Sequence, residues 1–324
     1  IESAVNESVI APEIRRIGPY VLNERIGQGG FGTVYRAEQT APLKRSVAIK
    51  LLKAGMDSDE ILKRFAAERQ ALAMMDHPNI ARVLDGGTTE LGRPFFVMEL
   101  VSGVPITEFC DTRRSTTDDR LRLFVETCLA IEHAHRKGII HRDLKPSNVL
   151  VAERDGKPVP KVIDFGIAKI LTPDSDDDEP LTREQQMLGT PAYMSPEQAQ
   201  AGAVDIDTRS DVYSLGVLLY ELLTGTTPFE RASLARLGIE GYRRLIREQD
   251  PPRPSARLTT MELAARTTVA ERRGVDPKSI SDRLRGELDW IVMKAIEKDR
   301  ERRYESVSEF RADLLRFLAD EPVS

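Results

Sequence analysis

The stretch from His141 to Asn148 constrains the fold of this chain more than any other feature. Asp143, Lys145 and Asn148 lie within six residues, Pro146 restricts the backbone between them, and apolar segments flank the stretch. The apolar segments on both sides predict strands that hold these three side chains in a short loop. Such a loop can gather a general base, a phosphate-directed cation and a metal-binding oxygen in one small volume.

A second acidic motif, Asp164-Phe165-Gly166, follows sixteen residues after Asn148. Between the two motifs, Asp155-Gly156 separates strand-like residues 149–151 and 161–163, which predicts a hairpin. That hairpin would return Asp164 to the side of Asn148. Their hard oxygen atoms suit Mg²⁺, with Mn²⁺ as the alternative, and do not suit zinc, and the four histidines are not expected to form a cluster. The order and spacing of the motifs predict phosphoryl transfer from ATP.

A glycine-rich segment lies near the start of the chain, with Gly27, Gly29 and Gly32 between strand-like residues 20–22 and 34–37. Glycines allow backbone N–H groups to approach phosphates that a Cβ atom would keep away. The spacing alone also fits a dinucleotide-binding unit or a purely structural turn. Strands on both sides favour a phosphate-covering hairpin.

Lys50 lies in the strand-like segment 47–52, on the opposite face from Val47 and Ile49. Glu68 shares one face of a predicted helix with apolar residues such as Phe65. A carboxylate on an apolar face is costly unless it is paired. We therefore predict that Lys50 and Glu68 form an ion pair and that Lys50 points at phosphate; the alternative is that both charges are simply exposed.

Short β-rich runs dominate the first hundred residues and helical patterns dominate the rest. This change predicts a flank over residues 1–18, a small β-rich lobe over 19–101 and a larger helical lobe over 102–324. We interpret the acidic run 174–179 as a solvated loop. Residues 251–285 read as an insertion with a short helix around 261–272.

The composition of the chain limits the binding partners and the cellular compartment that we expect for it. The net charge of −5 does not indicate a basic surface for nucleic acid, and no apolar run reaches the length needed to span a membrane. Cys110 and Cys128 lack metal-binding spacing and fit a reducing cytosol. We expect a cytoplasmic domain, as it stands or within a longer membrane-anchored protein.

Taken together, these motifs resemble the eukaryotic-type (Hanks-type) protein kinase family over about residues 20–318. The resemblance also includes His77-Pro78-Asn79-Ile80 and the stretch from Gly189 to Glu197. Lys145 after Asp143, together with Gly189-Thr190-Pro191, resembles the serine/threonine branch. The resemblance implies an α+β, two-lobed protein-kinase fold with an activation segment over 164–197.

The resemblance also implies roles for individual residues. The implied catalytic residues are Asp143, Lys145, Lys50 and Glu68, and the implied metal ligands are Asn148 and Asp164. Residues implied to bind nucleotide are Ile26, Gly27, Gly29, Gly32, Val34, Ala48, Lys50, Met98, Glu99, Val101 and Leu150. Pairing of Glu197 with Arg303, bracing of the catalytic loop by Asp211, and a stack of Leu72, Val83, His141 and Phe165 between the lobes are implied as well.

Two substitutions depart from the family pattern. Ser195 stands where alanine is usual, and Pro105 stands where many members carry an acidic residue. The sequence from Met194 to Gln198 is typical of bacterial members of the family. The rival hypotheses are a catalytically weak kinase-fold scaffold that binds nucleotide and a small-molecule phosphotransferase; the complete set of motifs and the segment from Gly189 to Glu197 favour a kinase that phosphorylates Ser or Thr residues of proteins.

Control is predicted at Arg142, Thr182 and Thr190. Arg142 directly precedes Asp143, and Thr182 stands eight residues before Thr190. Phosphorylated Thr182, produced by autophosphorylation, would pair with Arg142 and order the segment; the alternative is that the acidic run 174–179 already occupies Arg142. The sequence leaves open whether the chain also forms a homodimer.

Overall fold

The structure is a computed structural model that describes residues 16–29, 32–53, 59–165, 191–200, 206–277 and 279–324. Several side chains in the helices Asp59–Ala73 and Arg231–Glu248, that of Glu68 among them, also lie outside the described part. So do Thr182 and Thr190, and with them the predicted phosphorylation switch.

A six-stranded antiparallel sheet forms the first lobe. Its strands are β1 (Arg16–Ile17), β2 (Tyr20–Gln28), β3 (Gly32–Gln39), β4 (Arg45–Leu52), β5 (Val83–Thr88) and β6 (Pro94–Glu99). They lie in the order β1-β2-β3-β4-β6-β5. The sheet is antiparallel throughout because short turns join most of its neighbouring strands.

Strand β4 shows the predicted alternation of its two faces. Val47, Ile49 and Leu51 belong to an apolar cluster on one side of the sheet, whereas Ala48 and Leu52 join the main core on the other. Lys50 lies on the same face as Ala48 and Leu52 and is only 7% exposed. The strand therefore carries a nearly buried ammonium group into the region between the lobes.

Helix α1 (Asp59–Ala73) packs beside β5 and β6 of this sheet. Phe65 and Leu72, which share the predicted apolar face, are buried in the main core, and the Phe65 ring lies 4.4 Å from that of Phe96. This contact fixes the helix against the face that carries Lys50.

A small sheet of β7 (Val104–Pro105), β8 (Val149–Arg154) and β9 (Lys157–Val162) begins the second lobe. Strands β8 and β9 form the predicted hairpin, in which Arg154 pairs with Lys157. Its turn residues Asp155 and Gly156 have φ values of 50° and 72°. Two successive left-handed residues make the turn that fits the twist of a tight hairpin.

Helices make up the rest of the second lobe. They are α2 (Ile106–Thr112), α3 (Thr117–Arg136), α4 (Arg209–Thr224), α5 (Arg231–Glu248), α6 (Pro254–Thr260), α7 (Leu263–Glu271), α8 (Glu287–Ala295) and α9 (Val307–Leu318). Helix α4 is buried along almost its whole length and packs against α3, α8 and α9, so it is the centre of the lobe. None of the helices in the described ranges is long and apolar enough to cross a bilayer.

Two buried arginines, Arg273 from the segment 251–285 and Arg120 from α3, contact the end of α4. Arg273 donates to the carbonyl groups of Leu222 and Leu223 at 2.7 Å, and Arg120 donates to that of Leu222 at 3.2 Å. Burial, followed by the charge of Arg120, lowers the pKa of Arg273 to about 9. Helix α7 lies where the sequence predicts a helix, and the segment is part of the packed lobe.

Candidate active site

Asp143 lies at the centre of a tight network within the catalytic loop. Its carboxylate accepts from Lys145 Nζ at 2.7 Å and from Asn148 Nδ2 at 3.2 Å. Asn148 Nδ2 also donates to the Asp143 carbonyl at 2.8 Å, and a short turn over Pro146–Asn148 holds the amide there. The structure thus brings together the three polar residues that the sequence predicts to act together.

Asp211, at the start of α4, braces the backbone of this loop. Its carboxylate accepts from the N–H groups of His141 at 2.7 Å and Arg142 at 2.9 Å, and His135 Nε2 lies 2.8 Å away. Burial alone would raise the pKa of Asp211, but these contacts bring it below its ordinary value. Arg142 has a φ of 64°, an unfavourable backbone conformation for a residue with a Cβ atom that such bracing can offset.

His141 is a packed core histidine. Its side chain is fully buried, its ring lies 4.7 Å from that of Phe165, and Nε2 lies 3.1 Å from the Ile163 carbonyl. Burial lowers the pKa of this imidazole, which favours its neutral form. Leu72 is buried in the core that contains Phe165, and Val83 packs against it, in agreement with the predicted stack between the lobes.

Asn148 and Asp164 return to the same end of the β8–β9 hairpin. The Ile163 N–H donates to the Asn148 carbonyl at 2.9 Å, so Asp164 follows directly beside Asn148. Asp164 has a φ of 58° and its carboxylate is ion-paired with the Lys50 ammonium group. The Lys50–Asp164 contact was not predicted; the predicted pair of Lys50 with Glu68 lies outside the described side chains and stays a prediction.

The glycine-rich segment forms a hairpin between β2 and β3. Gly27 pairs with Val34, and the Gly29 N–H donates to the Gly32 carbonyl at 2.9 Å. A Cβ atom on Gly32 would lie 2.4 Å from the Leu51 carbonyl oxygen. Glycine is therefore required at this position to let β3 approach β4 closely.

Most of the residues implied to bind nucleotide lie on strands of the two sheets. Ala48 pairs with Met98 across β4 and β6, and Leu150 lies on β8 opposite Pro105. Val34 packs against the main core, Ile26 is 48% exposed on β2, and Val101 is half-buried.

The connection between the lobes contains an ion pair that sequence reasoning missed. Lys161 on β9 is buried and its Nζ lies 2.8 Å from the Glu99 carboxylate. Arg154 approaches the same carboxylate at 3.3 Å. Because Glu99 ends β6 while Lys161 belongs to the second lobe, this pair joins the two lobes beside the expected adenine position. The available signal was a lysine that is flanked by the apolar residues Pro160 and Val162 near the end of a strand.

Glu197 and Arg303 form the ion pair that the family resemblance implies. The two oxygen atoms of Glu197 each accept from Arg303 at 2.8 Å, and the Arg303 side chain is fully buried. Burial would raise the pKa of Glu197, but the hydrogen bonds and charge of Arg303, with a further bond from Ser210, lower it to about 2. The pair fixes the C-terminal end of the activation segment beneath the catalytic loop.

Two of the four histidines come together in the fold. The rings of His77 and His133 lie 5.2 Å apart, although the sequence suggests no cluster. The contact pairs the loop after α1 with helix α3, which sequence spacing cannot reveal. Among the residues that the structure describes, no group of three side chains could hold a metal through His, Cys, Asp or Glu alone.

A magnesium site nevertheless fits the donors at the end of the hairpin. Asn148 and Asp164 offer an amide and a carboxylate oxygen, which are hard ligands of the kind that Mg²⁺ and Mn²⁺ prefer. The amide nitrogen of Asn148 is used in bonds to Asp143, so the oxygen is the atom suited to a metal. Protein sites for Mg²⁺ commonly supply one or two such ligands and leave the rest to water and phosphate.

Comparisons with known proteins agree with this geometry. The sequence profile of the protein kinase domain matches residues 20–310. The chain is 36% identical over 308 residues to the serine/threonine-protein kinase PknB of Mycobacterium tuberculosis, which covers 94% of this chain and 43% of that protein. It is 38% identical over 290 residues to the serine/threonine-protein kinase pkn3 of Myxococcus xanthus, covering 87% of this chain and 51% of that one.

The chain therefore spans about half or less of the length of these curated relatives. Among solved structures, the PknI kinase domain of Mycobacterium tuberculosis superposes with a TM-score of 0.63 at 24% identity, covering 93% of this chain and 97% of that one. That likeness supports the two-lobed fold alone. On the matched profile and the two relatives, the chain belongs to the protein kinase family, and its domain is that of an ATP-dependent serine/threonine protein kinase.

Proposed function

We propose that the domain transfers the γ-phosphoryl group of Mg·ATP to Ser or Thr hydroxyl groups of proteins through Asp143, Lys145, Lys50, Asn148 and Asp164. The observation that carries this proposal is the convergence of the catalytic loop with the Lys50–Asp164 pair at one end of the β8–β9 hairpin. A bound Mg²⁺ ion would neutralise phosphate charge during transfer.

Asp143 is positioned to accept the proton of an acceptor hydroxyl group. Two donors, Lys145 Nζ and Asn148 Nδ2, contact its carboxylate and fix its orientation. Lys145 also supplies positive charge next to this carboxylate, where the transferred phosphoryl group would pass. Asn148 and Asp164 would hold the metal, while Lys50 would bind the phosphates that remain on the nucleotide.

The test of this proposal is an activity assay of Asp143→Asn with Asp155→Asn as the matched control. Both changes replace a carboxylate by an amide, but Asp155 is exposed at the hairpin turn, where its positive φ suits asparagine. We expect Asp143→Asn to lose activity by roughly 10²-fold or more, the scale of general-base contributions, with little change in thermal midpoint. A phosphorylation rate near that of the parent would contradict the role given to Asp143.

A second experiment addresses the metal. Asp164→Asn removes one charged ligand, so we expect it to weaken Mg²⁺-dependent ATP binding and abolish transfer. Titration of the parent with Mg²⁺ and with Mn²⁺ would rank the two ions. Calorimetry of metal and nucleotide binding gives a readout that does not depend on turnover. Unchanged binding and turnover in the variant would contradict the assignment of Asp164 as a metal ligand.

We also propose that the domain autophosphorylates at Thr182 and that the phosphate pairs with Arg142. Arg142 is held directly before Asp143, so its guanidinium group can link a phosphorylated segment to the catalytic base. Mass spectrometry of active protein and kinetics of Thr182→Ala test the idea. An unmodified Thr182 with an unaffected variant would favour the acidic run 174–179 or no switch.

We infer that the domain works in the cytoplasm, where ATP is abundant. Cys110 and Cys128 are free and buried, which is compatible with a reducing compartment. Fractionation of cells that produce the natural protein, followed by protease protection, would locate the catalytic domain; protection outside the cytoplasm would contradict this.

A further inference from the structure

Residues 195–198, Ser-Pro-Glu-Gln, form a capped turn at the end of the activation segment. The Gln198 N–H lies 3.4 Å from Ser195 Oγ, and the Ser195 N–H donates to Gln198 Oε1 at 3.1 Å. This reciprocal pair is the geometry of a capping box, with proline at the first position after the cap. The Ala199 N–H completes the turn by donating to the Ser195 carbonyl at 2.9 Å.

Ser195 therefore has a structural reason to stand where related kinases carry alanine. It is fully buried, and its hydroxyl group contacts both the N–H and the side-chain oxygen of Gln198. Alanine could not accept from the N–H group. The capping box fixes the carbonyl oxygen of the Gln198 side chain, so the direction of its amide nitrogen is fixed as well.

That amide nitrogen contacts the catalytic loop. Gln198 Nε2 donates to the Arg142 carbonyl at 3.0 Å. The same peptide unit carries the N–H of Asp143, which contacts His141 Nδ1 at 3.3 Å. The plane of the Arg142–Asp143 peptide is thus held at both ends, and the orientation of this plane determines where the Asp143 side chain begins.

Arg142 needs this support because its backbone is in the left-handed region. Its φ is 64°, and its N–H is held by Asp211 at 2.9 Å. A residue with a Cβ atom adopts this conformation only when its surroundings enforce it. Asp211 fixes the N–H side of Arg142, and Gln198 fixes its carbonyl side.

We propose that Gln198, oriented by Ser195, is a positioning residue that couples the end of the activation segment to the catalytic base Asp143. The inference rests on the proposed function because it assigns a role in the same transfer reaction. The conformation of the segment that binds the protein substrate then influences the orientation of the Asp143 side chain through the Gln198 side chain and the Arg142–Asp143 peptide plane.

Two substitutions at position 198 separate this role from simple capping. Gln198→Glu keeps an acceptor for the Ser195 N–H, and S-x-x-E is itself a capping box, but its ionised carboxylate cannot donate to the Arg142 carbonyl. Gln198→Met has a similar length, carries no charge and removes both bonds. Gln200→Glu is the matched control, because it makes the same chemical change on an exposed side chain two residues away.

We expect Gln198→Glu and Gln198→Met to lower kcat about tenfold, equivalent to about 1.4 kcal/mol of barrier, while KM for ATP stays within about twofold of the parent. Gln200→Glu is expected to keep the parent kcat. Ser195→Ala should lower kcat less, by about threefold, because the Gln198 amide keeps the bond from the backbone N–H of residue 195 and loses only its contact with the Ser195 hydroxyl group.

Hydrogen exchange supplies a readout that does not require turnover. Both Gln198 variants should increase amide exchange of the peptide containing Asp143, whereas Gln200→Glu should not. A parent kcat and parent exchange in the Gln198 variants, with an active parent enzyme, would overturn this inference alone. A loss of kcat that merely follows a lowered thermal midpoint would also overturn it, and an inactive parent would overturn the proposed function as well.

Discussion

Removing the charge of Glu197 should destabilise the second lobe by an amount that the structure allows us to estimate. In Glu197→Gln, the buried guanidinium group of Arg303 keeps its bonds to the carbonyl groups of Glu297, Arg209 and Lys298 but loses its counterion. Breaking a buried pair on one side typically costs 3–5 kcal/mol. The change is isosteric, so the loss is mainly electrostatic.

The pKa of Glu197 provides a second estimate. A fall from 4.5 to about 2 corresponds to roughly 3 kcal/mol at neutral pH, at about 1.4 kcal/mol per unit. Because the folded pKa is lowered, this stability is fully present above the unfolded value of 4.5 and is lost as the pH falls from 4.5 towards 2. By one unit below the unfolded value, about 1.4 kcal/mol of it should be gone.

Denaturant unfolding of the parent and of Glu197→Gln, between neutral pH and the lowest pH at which both still unfold cooperatively, measures both quantities. We expect a difference of about 3 kcal/mol at pH 7 that narrows on acidification below the unfolded pKa. Glu90→Gln, on an exposed turn, is the control for the chemical change. A difference below about 1 kcal/mol at pH 7, or one independent of pH, would refute the reasoning.

The other predictions concern the glycine hairpin, the brace of the catalytic loop and the ion pair between the lobes. Gly32→Ala should cost about 1–3 kcal/mol of stability and raise KM for ATP, because its Cβ atom meets the Leu51 carbonyl oxygen. In melting curves, the control Gly29→Ala should keep a thermal midpoint near that of the parent, since nothing lies within 4 Å of a Cβ atom at that position. Asp211→Asn should cost about 1–3 kcal/mol in denaturant unfolding and greatly reduce kcat, because an amide can no longer accept from all three donors; a stable and active variant would contradict the bracing role. Lys161→Met should lower stability by a comparable amount, since the exposed Arg154 would then be the cation that remains beside the Glu99 carboxylate. A double-mutant cycle with Glu99→Gln measures the coupling of the pair, and a coupling energy near zero would contradict this prediction.

Local patterns predicted the parts of the site that depend on neighbouring residues. The turn at Asp155 and Gly156 and the alternation along β4 follow from periodicity and turn chemistry, which a single sequence displays directly. The network of Asp143 with Lys145 was predictable for the same reason. The family resemblance added distant pairs such as Glu197 with Arg303, which no local pattern indicates.

Contacts that depend on a choice between distant partners were not predictable. Lys50 can meet more than one carboxylate, and the approach of Asp164 to it depends on how the two lobes pack. The contact between His77 and His133 has the same origin. In the sequence, Ser195 stands out only as a departure from the family pattern, and both its capping box with Gln198 and the bond from Gln198 to the Arg142 carbonyl required the tertiary structure.

The two buried arginines at the end of α4 have a consequence for anyone who wishes to shorten this protein. Residues 251–285 look dispensable in the sequence, yet Arg273 from that segment satisfies the carbonyl groups of Leu222 and Leu223. These are among the last groups of the helix, which have no partner within it. A deletion that removes the segment would leave the Leu222 carbonyl with Arg120 as its side-chain donor, would leave the Leu223 carbonyl without the Arg273 donor, and would expose the end of the central helix. Minimal versions of this domain should therefore keep Arg273 and trim elsewhere.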